Sequence, residues 1–115
     1  MDRRFIRNDI KRKMKRLGLE EEASKYIAAA IVYCIDIDLD PLDIVLAKNV
    51  YPNLERLYKK SPDALEAVMR RDIHRAWDKT EWYRWRDELD YDSRPSVKKL
   101  LTILLRQVKA KEIGC

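Results

Sequence analysis

Glycine and proline are scarce in this chain, two and four among 115 residues. A sandwich or barrel of many short strands needs far more turn punctuation, so all-β architectures are excluded first. Histidine occurs once, as His74, and cysteine twice, as Cys34 inside an apolar run and Cys115 at the end. Two such cysteines make no disulfide framework; reduced thiols in a cytoplasmic protein are the simplest reading. A zinc cluster needs several His or Cys ligands at a recognisable spacing, and the sequence offers none. Neither a glycine-rich phosphate loop nor a glycine-flanked nucleophile is present. Carboxylates are plentiful without marking a catalytic pair, so nothing supports an enzyme. No apolar run approaches the ~20 residues that span a bilayer. The N-terminus lacks the apolar stretch and small-residue cleavage site of an export signal. The expectation is a cytoplasmic protein with no cofactor, no metal and no membrane.

What is present is charge and helix-forming sequence. Hydrophobic residues make up 46% and charged residues 39%, enough to bury one core of modest size. The net charge of +5 is unevenly spread. Residues 1–18 hold eight Lys/Arg against two acids, and residues 94–111 hold six against none. Acidic stretches lie between these basic ends. A polyanion can dock on such a surface if the basic parts converge in space; otherwise they are solvated helix faces.

Nearly every segment reads as helix. Ile6, Ile10, Met14 and Leu17 form one stripe of a basic amphipathic helix over residues 2–17, broken near Gly18. Its basic side is a solvated face, a phosphate-contacting arm or a membrane-surface segment. Glu20, Glu21 and Glu22 suit the start of a second helix, whose body from Ala23 to Ile35 is apolar almost all round and belongs at the centre of a bundle. The stretch Asp36–Asp40 briefly imitates a calcium loop, but Pro41 stands where a glycine is needed and Ala47 where a glutamate is needed. Asp40 is better read as the N-cap of a short helix with Pro41 at its first position. Tyr51-Pro52 opens another short helix, with Leu54, Leu57 and Tyr58 as its buried face. Trp77, Trp82 and Trp85 read as core bulk at bends. The final helix runs from about Pro95 to Lys111, and its apolar residues spread over roughly 200° of the wheel. That helix is either packed between layers or part of a dimer contact.

Between Val50 and Lys79 lies a short helix, a tight turn at Lys59-Lys60-Ser61 and a long helix opened by Ser61-Pro62-Asp63. This is the plan of a helix-turn-helix. Stepping residues 63–78 by 100° puts Leu65, Met69, Asp72, Ile73, Ala76 and Trp77 inside. Outside, Ala67 is ringed by Asp63, Ala64, Arg70, Arg71 and His74. Arg70 and Arg71 suit guanine edges or phosphates, His74 either, and Lys59, Lys60 and Ser61 suit backbone phosphates. Asp63 and Glu66 repel phosphates unless they face base donors, and glutamate can accept from cytosine N4.

Val50-Tyr51-Pro52-Asn53-Leu54, Leu57-Tyr58, Leu65-Glu66, Met69-Arg70, Ile73 and Ala76-Trp77 resemble the DNA-binding (effector) domain of the stage-zero sporulation protein A family. These are response-regulator transcription factors of endospore-forming bacteria. Agreement extends to Tyr26-Ile27 with Ala30-Ile31, similar to the family's first helix, and to Arg94-Pro95-Ser96, similar to the start of its last. The resemblance implies an all-α bundle of about six helices around a helix-turn-helix, with a recognition helix at about 62–78 in the major groove of promoter boxes. It also implies double-stranded DNA as the partner, with RNA polymerase and a second copy on tandem sites as further candidates. The family's base-reading arginines align with Ala64 and Ala67, its glutamate with Glu66 and its later arginine with Arg70, while Arg71 replaces a histidine. The box sequence therefore differs from the family's, or base-specific reading has been lost. The expectation is an effector-like part without the family's receiver domain.

The resulting expectation is a basic helix over residues 1–18 followed by a helix-turn-helix effector-like domain over 19–115, acting as a sequence-specific transcription regulator. Its candidate DNA-binding residues are Lys59, Lys60, Ser61, Glu66, Ala67, Arg70, Arg71 and His74. The alternative is a protein-interaction module that keeps the fold without reading bases.

Overall fold

Asp2 starts the first helix by accepting the Arg4 backbone N–H at 2.9 Å, one of the amides that lack a partner at any helix start. From there the computed structural model describes residues 2–113. Among them are six α-helices: α1 (Arg3–Arg16), α2 (Glu21–Asp36), α3 (Tyr51–Tyr58), α4 (Pro62–Lys79), α5 (Trp82–Leu89) and α6 (Val97–Ile113). A 3₁₀ turn at Pro41–Asp43 and a π-helical turn at Leu46–Val50 join α2 to α3. Cys115 lies outside the described residues.

The stripe Ile6, Ile10, Met14 and Leu17 is buried, and α1 packs along α2 as part of the common core. Glycine is required where α1 ends. Gly18 has φ +93°, its N–H donates to Lys15 O and the Leu19 N–H to Met14 O, which closes the helix with a left-handed residue. A Cβ there would also stand 2.8 Å from Thr80 Oγ1.

At the centre runs α2, with Ala23, Tyr26, Ile27, Ala28, Ala30, Ile31 and Cys34 all buried. It touches α1, α3, α4 and α6, the position its apolar wheel predicts. Its end repeats the geometry of α1 with an aspartate in place of glycine. Asp38 takes φ 51°, with Asp38 N–H to Ile35 O and Leu39 N–H to Cys34 O. The acids of this loop go to separate partners: Asp36 to Arg3, Asp38 to Lys109 at 3.3 Å, and Asp40 to the Leu42 N–H at 2.9 Å.

Two expected core residues lie outside. Leu57 is 48% exposed, because the buried arc of α3 is centred between Tyr51, Leu54 and Tyr58 and leaves Leu57 at its edge. Trp82 is 54% exposed at the start of α5, with the Arg86 guanidinium 4.8 Å above its ring. Trp85 is fully buried and meets the half-buried Trp77 edge-on at 5.5 Å. The broad arc of α6 is covered by this chain's own elements: Val97, Leu100, Leu101, Ile103, Leu104, Leu105 and Val108 are buried against α2, α4 and the 3₁₀ turn.

Candidate nucleic-acid interface

The placement of α4 is set from behind. Leu65, Met69, Asp72, Ile73 and Ala76 are buried, as their spacing predicts, and Asp72 is the one acid among them. A buried carboxylate requires partners, and here it has several. One oxygen accepts the Glu20 N–H at 2.8 Å, at the open N-terminus of α2. The other accepts Arg75 Nε and Nη2 at 2.9 and 2.6 Å, and Arg75 Nη2 reaches on to Gly18 O at 2.8 Å. Thr80 Oγ1 adds a bond to Leu17 O at 3.1 Å. These bonds tie the back of α4 to the α1–α2 turn, so the opposite face has a fixed direction.

That opposite face carries the expected residues. Asp63, Ala64, Arg70, Arg71 and His74 are exposed, while Glu66 and Ala67 are half-buried. Arg70 pairs with Glu66 at 3.5 Å, one turn earlier. Arg71 and His74 make no ion pair or side-chain hydrogen bond among the described residues. Ala64 and Ala67 keep the first half of the face low, leaving space for a partner to come close.

At the turn, Lys59 ends α3 in the left-handed region (φ 57°) with its side chain exposed, and Lys60 pairs with Glu22 at 3.7 Å. The Ser61 hydroxyl oxygen caps α4 by accepting the Ala64 N–H at 3.2 Å. With Pro62 lacking an N–H and the Leu65 N–H bonded to Ser61 O, little of this helix start remains to receive a phosphate, and Asp63 sits beside it.

The two arginines border different concavities. Arg71 lies with Arg75, Asp72, Glu20 and Glu22 around a cleft of about 240 Å³ beside the start of α2, where acids offset the bases. Arg70, His74 and Glu66 line a cleft of about 340 Å³ whose far wall is the start of α6, with Arg94 and Lys98. Those two cations were not among the expected site residues. The acid-free run 94–111 signals them, but the sequence does not show that it begins beside α4. Tyr51 also lines this cleft, 9% exposed, and its hydroxyl is buried without a hydrogen-bond partner. Burial, and secondarily the Glu66 carboxylate, push that phenol up to about 12, while Arg70 pulls the other way.

On α1 most of the basic charge is already engaged. Arg3 meets Asp36, Lys11 and Lys15 meet Glu21, Arg12 and Lys13 meet Asp9, and Arg16 meets Glu88 at 2.6 Å. Paired cations attract a polyanion less than unpaired ones, which favours the start of α6, with Arg94 and Lys98, over the paired cations of α1. Among the described residues, no helix is long and apolar enough to cross a membrane. Comparison of the chain with protein-family models, with curated proteins and with solved structures gives no match.

Proposed function

We propose that this chain is a DNA-binding transcription regulator of the helix-turn-helix class, with α3 as the brace and α4 as the recognition helix in the major groove. The observation that carries the reading is the outer face of α4: Arg70, Arg71 and His74 stand exposed on a helix fixed from behind by Asp72 and Arg75. Arginine is the commonest reader of guanine edges and an effective phosphate donor. The low alanine half of the face lets the helix approach the groove closely, and an alanine methyl can meet a thymine methyl. Glu66 is held by Arg70 and offers an acceptor to cytosine N4. The likeness of residues 50–79 to the sporulation effector domain points the same way. On this reading the protein acts in the bacterial cytoplasm, pairs on tandem boxes and contacts RNA polymerase.

Fluorescence anisotropy with labelled duplexes across a salt series tests the proposal. Binding is expected to weaken steeply with salt, and Arg70→Ala to weaken it about tenfold or more if the arginine reads a base. A phosphate role for Arg71 lowers the log–log salt slope by about one unit in Arg71→Ala. Absence of binding at about 50 mM salt would remove the reading.

The exposure of Trp82 and Tyr83 on α5, at 54% and 43%, favours a second reading in which the chain docks on another protein. Duplex binding lost in Arg70→Ala but retained in Trp82→Ala separates the two.

A further inference from the structure

The cleft between α4 and the start of α6 has features that base reading does not use. α6 is a 17-residue helix opened by Ser96, whose hydroxyl oxygen accepts the Lys99 N–H at 3.1 Å and whose carbonyl accepts the Leu100 N–H at 2.9 Å. The Val97 and Lys98 amides have no acceptor among the described residues, and the first turn of α6 contains no acid. Open amides at a helix start, aligned with the positive end of the helix dipole, favour an oxyanion. The start of α4 offers the reverse, with a proline, an aspartate and a cap already filled.

A second, independent feature is the Tyr51 hydroxyl. It is 9% exposed as a residue, its oxygen has no hydrogen-bond partner, and it lies among the cleft residues close enough to Glu66 and Arg70 to feel both charges. Leaving a buried phenol unsatisfied is costly, and a ligand acceptor in the cleft would satisfy it. Arg70, Arg94 and Lys98 bring three positive charges to the lining against the single carboxylate of Glu66, and His74 adds a ring donor. Neither Arg94 nor Lys98 is paired among the described residues.

We propose that this cleft is a phosphate-binding site. The phosphoryl oxygens take the Val97 and Lys98 amides and the Arg94 and Lys98 charges, and the Tyr51 hydroxyl donates from the floor. The phosphoryl group comes either from a duplex backbone, which rests on the DNA reading above, or from a free phosphate monoester, which does not. In the first case Arg94 and Lys98 extend the footprint of α4 onto the strand beside the groove. In the second, the ligand occupies Arg70 and His74 and competes with DNA.

Amide chemical shifts of the full-length ¹⁵N-labelled chain test the site, titrated separately with phenyl phosphate, with a duplex, and with sodium chloride at matched ionic strength. Saturable movement of the Val97 and Lys98 amides by phenyl phosphate supports a site for free phosphate. The double variant Arg94→Glu/Lys98→Glu should weaken it at least about tenfold, and Tyr51→Phe about fivefold. Movement of those amides by duplex alone supports the backbone source. Shifts with phenyl phosphate but none with duplex leave this site standing and remove the DNA reading. Duplex shifts confined to α4 leave the DNA reading standing and overturn this site. Overturning results are also no shift at α6 with either ligand, the same shifts with sodium chloride, or wild-type affinity in Tyr51→Phe and the double variant.

Discussion

Gly18 combines a backbone and a packing requirement. Its φ of +93° disfavours any L side chain, and a Cβ would meet Thr80 Oγ1 at 2.8 Å, beside the carbonyl that receives Arg75. Gly18→Ala should therefore destabilise the fold by about 1–2 kcal/mol, read as a lower urea midpoint. Asp72→Ala removes the acceptor for both the Glu20 amide and Arg75, for an expected loss of about 1–3 kcal/mol in the same measurement. Buried groups with raised pKa values set the alkaline limit. Burial pushes the Cys34 thiol up to about 11 from 9.0 and the Tyr51 phenol to about 12 from 10.0, and it raises Tyr26 with help from Glu22. In this range the unfolded chain loses these protons first, so the folded state binds more of them and stability falls with rising pH. The urea midpoint should hold up to about pH 9 and decline as pH rises toward the folded values. The burial of Asp72 on the inner face of α4 was legible from 100° spacing alone. Its bond to the Glu20 amide was not, nor was that of Arg75 to Gly18 O, because both acceptor–donor pairs lie more than fifty residues apart in sequence.

Helix boundaries were the most readable feature at the level of elements. Ser61-Pro62-Asp63 marks the start of α4 because the hydroxyl caps, the proline fits the first turn and the acid suits the dipole. The helix ends at Lys79, against an expected end at about residue 78. Ser61→Ala should cost about 1 kcal/mol and fray the turn carrying Lys59 and Lys60, detectable as faster amide exchange at Ala64. The π-helical turn before α3 has no such signal. It depends on Asn49, whose Oδ1 accepts the Val45 N–H at 2.8 Å while Val45 O accepts the Lys48 and Asn49 amides. A side chain closing a local loop leaves no hydrophobic period to read. Trp82 and Leu57 illustrate a related limit: an apolar residue at a helix edge turns in or out according to what its neighbours already cover.

For the molecule as a whole, scarce turn residues and helical periodicity pointed to an all-α chain with one core, and the charge runs located two basic ends. What the sequence left open was which basic groups are unpaired and which converge. Ion pairs spanning α1, α2 and α5 neutralise much of the first basic end, whereas Arg94 and Lys98 from the second come to lie beside Arg70 and His74. Those relations cross from one helix to another, as between Arg16 and Glu88, and exist only once the helices pack. Duplex titrations across a salt series should reflect the difference. Lys15→Ala, which removes a cation paired with Glu21 at 3.2 Å, should change the log–log slope by much less than the roughly one unit expected for Arg94→Ala.

Selection of bound duplexes from a random pool asks whether the outer face of α4 reads double-stranded DNA, as proposed. The wild-type chain should enrich a short motif, and Arg70→Ala/Arg71→Ala should lose either the enrichment or its preference at specific positions. Recovery of unenriched sequence, or of the same motif at equal strength by the double variant, would contradict it.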